Sequence, residues 1–279
     1  MECSQAQAVS VIITTYKQPK YLELTLWGFQ NQTNLNFEVV IADDGSGDET
    51  RDVIEWFRKN TDLKIQHVWH EDDGFRKCTI LNKAILASEH DYLLFTDGDC
   101  IPRKDFIDVH LSRARKGHFL SGGYFKMNEA VSKNVTSKVI DDQKPFDKNW
   151  LKQNGQDSTY KFLKMTRKKW LVKFMNAITT AKPTWNGHNV SGWKEDIIAV
   201  NGYNEDMMYG GLDRELGERL ENYGVSGVQI RYSAIVVHLD HPRPYKKKDL
   251  MDKNRAIRKN VRDNGVKYAD NGLKQHLPV

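Results

Sequence analysis

Short apolar runs alternate with helix-type patterns along the first third of the chain. The runs at residues 9–14, 38–42, 64–69 and 92–95 predict buried strands. Between these runs, apolar residues recur at three- to four-residue spacing, as at Leu22, Leu26 and Phe29, and predict helices. The alternation predicts an α/β fold with a Rossmann-like, mostly parallel central sheet and flanking helices.

The later two thirds of the chain are less uniform. After about residue 127 the periodicity fades and Lys, Asn, Gln and Asp dominate, which predicts a partly helical insertion. Regular spacing then returns, with a helix after Gly210-Gly211 and a long strand over residues 228–239, before a basic helical tail. The sequence therefore predicts four segments, at residues 1–127, 128–182, 183–242 and 243–279.

Polar clusters follow three of the predicted strands. They are Thr15-Tyr16, Asp43-Asp44-Gly45-Ser46 and Asp97-Gly98-Asp99. Because crossovers in such sheets are right-handed, the strand ends share one edge, where ligands bind. Asp97 and Asp99 can reach one hard divalent cation, although a solvated Asp-Gly turn explains the same residues.

The second cluster is suited to a nucleotide base. A carboxylate of the Asp43-Asp44 pair can accept the imide N–H of uracil, and Tyr16 can stack on the ring. A helix-capping turn and a half-buried rim aromatic are the alternatives for these residues. Further along, Arg76 and Lys77 can meet phosphate oxygens or pair with the preceding acidic run at residues 71–73.

Composition narrows the class of protein. A content of 39% hydrophobic and 28% charged residues is typical of an ordinary globular protein. No apolar run in the sequence approaches the roughly 18 residues that a membrane helix needs. The N-terminus lacks the layout of a signal peptide, and three cysteines without a Cys-x-x-Cys pair favour reduced thiols. We therefore expect a cytoplasmic protein.

The net charge of +5 is concentrated in two stretches. One lies around Trp170 and Phe174, and the other spans residues 243–262. Such stretches are typical of a solvated face, of a peripheral contact with anionic membrane lipids, or of a phosphate-bearing acceptor. No nucleic-acid motif accompanies the charge, so we expect no nucleic-acid partner.

Taken jointly, the motifs resemble those of family-2 glycosyltransferases of the GT-A fold. The resemblance rests on residues 9–16, 43–48, 73–82 and 97–99. The last third resembles the galactosyltransferase-type C-terminal segment of bacterial chondroitin polymerases. That part rests on residues 189–196, 201–205 and 209–216.

The resemblance implies a role for each matching position. Nucleotide contacts would come from Thr15, Tyr16, Asp44, Arg76, Asn82 and Asp97. Asp97, Asp99 and His238 would hold Mn²⁺ or Mg²⁺. The acceptor side would include Asn189, Tyr209 and Leu212. Leu212 and Tyr209 stand where the family usually has glutamate and tryptophan, which leaves the acceptor open.

Asp213 would be the general base under the same resemblance. A helix N-cap is the alternative for Asp213, and Glu215 is the reserve base. His241 is a second candidate metal ligand, and a structural role is the alternative for either histidine.

The expected activity is an inverting transfer of sugar from a UDP-sugar to a glycan or lipid-linked acceptor in surface polysaccharide biosynthesis. Residues 1–127 would bind the nucleotide-sugar, residues 183–242 would complete the catalytic half, and residues 128–182 would form a smaller lobe on the acceptor side. A catalytically impaired scaffold subunit is one alternative. A sugar-1-phosphate nucleotidyltransferase is the other, although residues 14–17 lack its glycine- and lysine-rich loop.

Overall fold

The computed structural model describes residues 6–241 and 248–277. Its larger sheet has seven strands in the order β3-β2-β1-β4-β8-β6-β9, and a smaller sheet has the order β5-β10-β7. The strands are β1 Val9–Thr15, β2 Phe37–Asp43, β3 Ile65–Trp69, β4 Tyr92–Asp97, β5 Cys100–Pro102, β6 His118–Ser121, β7 Gly123–Lys126, β8 Val190–Trp193, β9 Ser226–Gln229 and β10 Ile235–His238.

Eleven α-helices accompany the strands in the described residues. They are α1 Pro19–Gln30, α2 Asp48–Asn60, α3 Lys77–Ala87, α4 Phe106–Arg113, α5 Glu129–Lys133, α6 Ser137–Asp141, α7 Lys148–Gln153, α8 Lys169–Ile178, α9 Lys194–Ala199, α10 Leu212–Tyr223 and α11 Lys248–Asp263. Three short 3-10 helices cover Lys144–Phe146, Tyr160–Met165 and Leu273–His276.

The first four strands form the predicted parallel unit. β1 pairs in parallel with both β2 and β4, and β2 pairs in parallel with β3. Side chains of β1 alternate between two cores, with Val11 and Ile13 in one and Ile12 in the other. The α/β fold with a mostly parallel sheet is therefore confirmed.

The remaining strands depart from the parallel pattern. β8 is antiparallel to both β4 and β6. Its first residue, Val190, therefore lies opposite Phe95, near the C-terminal end of β4. In the smaller sheet, β5 is antiparallel to β10, and β10 is parallel to β7. The residues that precede β8 therefore lie near the ends of the parallel strands.

The prediction of one long strand over residues 228–239 is wrong. β9 belongs to the larger sheet and β10 to the smaller one, with Ile230–Ala234 turning between them. An apolar run of this length carries no marker of where the chain changes sheets. The separation matters because only β10 delivers His238 beside β5.

The predicted insertion holds only short helices and packs on the smaller sheet. Val131, Ile140 and Leu151 share a buried core with Phe125 and Val237 of that sheet. The predicted tail contains α11, while residues 242–247 of the second basic stretch lie outside the described residues. In the described ranges, no helix has the length and apolar character needed to cross a bilayer.

Candidate active site

The polar ends of β1, β2 and β4 meet at one edge of the larger sheet and open into a cleft of about 610 Å³. Two backbone hydrogen bonds tie these ends together, from Gly98 N to Thr14 O at 2.8 Å and from Asp44 N to Thr15 O at 3.0 Å. A Cβ on Gly98 would lie 2.9 Å from Thr14 O, so the Asp-Gly-Asp turn needs glycine at its centre. Thr15, Tyr16, Asp44, Asp97 and Asp99 all line the cleft, as the strand-end argument predicts.

Two adjacent carboxylates after β2 have different partners. Asp43 accepts hydrogen bonds from Ser46 N at 2.8 Å and contacts His67 Nε2 at 2.9 Å beneath the turn. Asp44 contacts His70 Nε2 at 2.8 Å and accepts from Arg76 N at 3.1 Å. Burial raises the pKa of Asp44, although these hydrogen bonds oppose the rise. Asp44 is thus the fixed carboxylate that reaches the cleft.

Tyr16 stands at the rim of the cleft. Its ring is 43% exposed, and its hydroxyl donates to Asp72 Oδ2 at 3.1 Å. Lys17 pairs with the same Asp72 oxygen at 2.6 Å. An exposed ring held by its hydroxyl keeps one face available for stacking.

Lys77, rather than Arg76, reaches the cleft floor. Its ammonium pairs with Asp97 Oδ1 at 2.7 Å, and Thr14 Oγ1 donates to the same oxygen at 2.8 Å. Burial alone would raise the pKa of Asp97, but the charge and hydrogen bond of Lys77 outweigh it and lower that pKa. Burial alone would lower the pKa of Lys77, but Asp97 and Asp213 outweigh it and raise that pKa.

The Arg76 side chain instead pairs with Asp73 at 3.3 Å, outside the cleft lining. Of the two alternatives open for Arg76, pairing with the preceding acidic run is the one that the structure shows. Arg76 contributes its backbone N–H to Asp44. The Arg76 side chain is therefore not placed for the predicted nucleotide contact, whereas Lys77 lines the cleft.

Strand pairing brings Asp99 and His238 together. His238 lies opposite Cys100 in the β5–β10 register, and Leu239 N donates to Asp99 O at 3.0 Å. Nε2 of His238 then lies 3.5 Å from Asp99 Oδ2, and Nε2 of His241 lies 2.7 Å from the same oxygen. Both predicted ligand candidates thus surround the Asp99 carboxylate.

The donor set at Asp99 suits a divalent cation. Nδ1 of His238 contacts Leu239 O at 2.6 Å, and because a carbonyl oxygen only accepts, Nδ1 carries the hydrogen. Nε2 is then the ring nitrogen that faces the Asp99 carboxylate, and in the neutral imidazole it would be available to a cation together with that carboxylate. Asp99, Cys100 and His238 offer ligand atoms within 4.8 Å of one another. Mg²⁺ and Mn²⁺ prefer the oxygen and imidazole donors to the thiol.

Asp213 approaches the cleft from the other side. It is the second residue of α10, which begins after Gly210 and Gly211, both in left-handed conformations. One carboxylate oxygen, Oδ1, is buried and has no hydrogen-bond partner in the described part of the chain. Gly187 makes room for it, because a Cβ there would lie 2.3 Å from that oxygen.

Burial raises the pKa of Asp213 to about 6, and the charge of Lys77 limits the rise. The position at the start of α10 predicts an ionised carboxylate, but burial outweighs the favourable helix dipole. Gly211, not Asp213, is the N-cap residue. A carboxylate with a pKa near neutrality and an unpaired oxygen in a cleft is suited to accepting a proton.

Glu215 has a structural role. Both of its carboxylate oxygens bind Arg219 at 2.8 Å, and both side chains are almost fully buried. Glu215 is absent from the cleft lining. The assignment of Glu215 as the reserve base is therefore wrong.

Two predicted contact residues are also structural. Asn82 is fully buried, donating to Tyr203 O and Glu205 Oε1 and accepting from Tyr203 N. Asn189 is fully buried as well, donating to Gly123 O and Ala234 O. Because their amides are occupied in this way, neither side chain reaches the cleft. The predicted nucleotide role of Asn82 and the predicted acceptor role of Asn189 are therefore wrong.

Tyr209 and Leu212, which were predicted for the acceptor side, both lie in the cleft lining. Their neighbours there were missed. Tyr124 and Lys126 face the cleft from alternate positions of β7, and His188 precedes β8. Burial lowers the pKa of His188 to about 4. No apolar alternation marked β7 or β8, so the sequence offered only the Asn186-Gly187-His188 turn as a signal.

The sheet and its cleft define an α/β domain of the GT-A class. The chain belongs to glycosyl transferase family 2, whose sequence profile matches residues 10–175. Chondroitin synthase of Pasteurella multocida (strain Pm70) is 30% identical over 105 residues, 37% of this chain and 11% of that protein. The chain therefore matches only about a tenth of that relative's length.

Solved structures share the fold at low identity. Residues 1–349 of TarS from S. aureus, in complex with UDP-GlcNAc, superpose with a TM-score of 0.58 at 17% identity, covering 96% of this chain and 69% of that one. The mannosyltransferase PcManGT from Pyrobaculum calidifontis, in complex with GDP-Man and Mn²⁺, gives 0.58 at 18% identity, covering 88% and 62%.

Proposed function

We propose that this chain is an inverting, metal-dependent transferase that moves a sugar from a UDP-sugar to a hydroxyl of a glycan or lipid-linked acceptor. The observation that carries the proposal is the convergence of Asp44, Asp97, Asp99 and Asp213 in one cleft. These four carboxylates have different partners and different electrostatic surroundings. Each can therefore serve a different step of the reaction.

The donor nucleotide would lie across the ends of β1 and β2. Asp44 retains lone pairs to accept the imide N–H of uracil, and Tyr16 offers a ring face at the rim. The GDP-Man complex with the same fold shows that the fold alone does not select the base. Asp44 and the UDP-GlcNAc complex of TarS support a UDP-sugar.

Asp99 and His238 would hold Mn²⁺ or Mg²⁺, with Asp97 close by. When bound, the cation would neutralise charge on the departing diphosphate. Lys77 adds a fixed positive charge on the same side, held by Asp97. The Mn²⁺ complex of PcManGT supports this assignment for the fold.

Asp213 would act as the general base. Its unpaired Oδ1 accepts the proton of the acceptor hydroxyl while that oxygen attacks the anomeric carbon. The C–O bond to the diphosphate breaks on the opposite face, and a single displacement inverts the configuration. The buried surroundings that raise the pKa of Asp213 also increase its affinity for the proton.

The test is UDP release from a panel of UDP-sugars with Mn²⁺, with the product anomer assigned by NMR. A transferase releases UDP and forms the opposite anomer. A scaffold subunit would bind UDP without turnover, and a nucleotidyltransferase would consume UTP and form pyrophosphate. Either of these outcomes would overturn the proposal.

We further propose that α8 contacts an anionic membrane surface. Trp170, Phe174 and Ile178 are spaced by four residues along one face, with exposed fractions of 69%, 54% and 53%. The opposite side is anchored, because Asn176 bonds Ser233 Oγ at 2.8 Å and Tyr232 N at 3.0 Å. Lys169 and Lys173 are exposed beside the apolar face, and their positive charge complements anionic headgroups.

A further inference from the structure

A buried ammonium lies near the cleft and has no carboxylate partner in the part of the chain that the structure describes. Lys164 belongs to the 3-10 helix Tyr160–Met165, and its side chain is almost fully enclosed, with the residue 7% exposed. Its Nζ donates to Tyr124 O at 2.8 Å and lies 5.3 Å from the centroid of the Tyr124 ring. An ammonium has three donors, and burying its charge is costly unless an anion balances it.

A second cationic residue, Arg231, lies against Gly123, the residue before Tyr124, and its guanidinium carbon is 5.9 Å from the centroid of the Tyr232 ring. A Cβ on Gly123 would lie 2.2 Å from Arg231 O, so the Arg231 backbone runs directly against the start of β7. Nε of Arg231 is buried and has no hydrogen-bond partner within residues 6–241 and 248–277. Among the described residues, neither Lys164 nor Arg231 forms an ion pair.

Burial, with the charges of Arg231 and Lys161 in support, lowers the pKa of Lys164 to about 8. The charges of Arg231 and Lys161 therefore disfavour the charged form of Lys164. An anion bound by Lys164 and Arg231 would offset this unfavourable charge and accept hydrogen bonds from their unused donors.

The Tyr124 ring connects this cation pair to the active site. Its centroid lies 4.6 Å from that of His188 and 6.2 Å from that of His238. The ammonium of Lys164 is thus one aromatic ring away from two residues of the cleft lining. In the proposed function the donor diphosphate would be met by Lys77 and the cation held at Asp99, which leaves Lys164 and Arg231 for a different ligand.

We propose that Lys164 and Arg231 bind an oxyanion carried by the acceptor, either a sugar carboxylate or a phosphate ester. The proposal rests on the glycosyl transfer proposed above and adds the acceptor's charge to it. It predicts that the enzyme prefers an acidic acceptor to a neutral one of the same shape. A hydrogen bond to a charged group of this kind is worth about tenfold to a hundredfold in affinity.

Calorimetry on the full chain saturated with UDP and Mn²⁺ tests the proposal. The probes are p-nitrophenyl β-D-glucuronide, the matched neutral β-D-glucoside, and glucose 6-phosphate. We expect at least one anionic probe to bind ten times or more tightly than the glucoside, and the probe that does so identifies the anion. Lys164→Met and Arg231→Gln should each remove this preference, whereas Lys164→Arg should retain part of it.

The exposed Lys168→Met is the matched control and should change nothing. UDP affinity should be the same in all variants, which shows that each of them is folded. Equal affinity for charged and neutral probes, no binding of any probe to a protein that binds UDP, or a preference that survives both substitutions would overturn the anion site. A parent protein that fails to bind UDP would instead overturn the transferase proposal.

Discussion

The strand-end side of the cleft and the segment of residues 160–178 differ in how completely their charged groups are paired. On the strand-end side, Asp43, Asp44 and Asp97 each have a fixed partner in His67, His70 or Lys77. In the segment of residues 160–178, which contributes no residue to the cleft lining, Lys164 lacks a carboxylate partner among the described residues, and α8 buries none of its side chains. The first side is organised before any ligand arrives, whereas the second has unused charge and apolar surface that a ligand can satisfy.

This contrast follows from how each side is built. Parallel strands hold their C-terminal residues in register, so backbone bonds such as Gly98 N to Thr14 O fix the carboxylates. Short helices have no such shared frame and depend on packing against the smaller sheet. Substitutions on the strand-end side should therefore remove activity, while those on the other side should alter affinity for partners.

The largest expected effect is at Asp99. Asp99→Ala should abolish transfer and weaken UDP binding when Mn²⁺ is present, but hardly change it when Mn²⁺ is absent, because the residue would act through the cation. Calorimetry with and without Mn²⁺ measures both affinities. Asp52→Asn, an exposed carboxylate on α2, is the control and should match the parent. Equal UDP affinity of the parent protein with and without metal would contradict metal dependence.

Asp213→Asn should lower turnover by about 10²–10⁴-fold, since a general base contributes that much. UDP-sugar affinity should stay within a few-fold. Because the folded pKa of Asp213 lies above its ordinary value, ionisation of this carboxyl destabilises the fold as pH rises toward 7. The variant should therefore unfold at the same or a higher denaturant concentration than the parent. Near-parental turnover in the folded variant would exclude Asp213 as the base.

The contrast between Asp213 and Glu215 shows where sequence reasoning stops. Both carboxylates lie in the first turn of α10, and their spacing alone cannot tell which one meets the cleft. Arg219, one turn further on, neutralises Glu215, while Gly187 leaves space beside Asp213. Such partners become visible only when distant segments are assembled.

The strand-end residues were predictable for the opposite reason. A buried apolar run followed by polar residues identifies a strand and its functional end together, as at Asp44 and Asp97. His188 and Tyr124 lie on or before short strands of four residues, which leave too little alternation to recognise. Asn82 and Asn189 match family motifs, but a motif match does not distinguish a buried structural amide from a ligand contact.

The pH dependence of kcat/KM should report Asp213 in the free enzyme. Asp213 must be ionised to accept a proton, so activity should fall about tenfold per pH unit below its pKa of about 6. The measurement is kcat/KM from pH 4.5 to 8 at saturating Mn²⁺. In Asp213→Asn the residual activity should lack this acidic limb. An unchanged limb in that variant would assign it to another group.

The smallest expected effect concerns α8 and the membrane. Sedimentation with vesicles containing phosphatidylserine should exceed sedimentation with phosphatidylcholine vesicles, and high salt should reverse it, because exposed charges are screened. Lys169 and Lys173 are each worth up to about 1 kcal/mol near an anionic surface, or about fivefold in affinity. Replacing both with Gln should therefore weaken binding by up to about thirtyfold.

Trp170→Ala with Phe174→Ala should also weaken vesicle binding, but without changing its salt dependence, because these side chains contribute apolar contact. Lys59→Gln on α2 and Tyr223→Ala on α10 are the matched exposed controls and should have no effect. UDP release from a soluble acceptor should be unchanged in all of these variants, since α8 contributes no residue to the cleft lining. Equal sedimentation with both kinds of vesicle would leave the α8 lysines as an ordinary solvated face. It would also leave the anion site at Lys164 as the one expected partner contact on this side of the molecule.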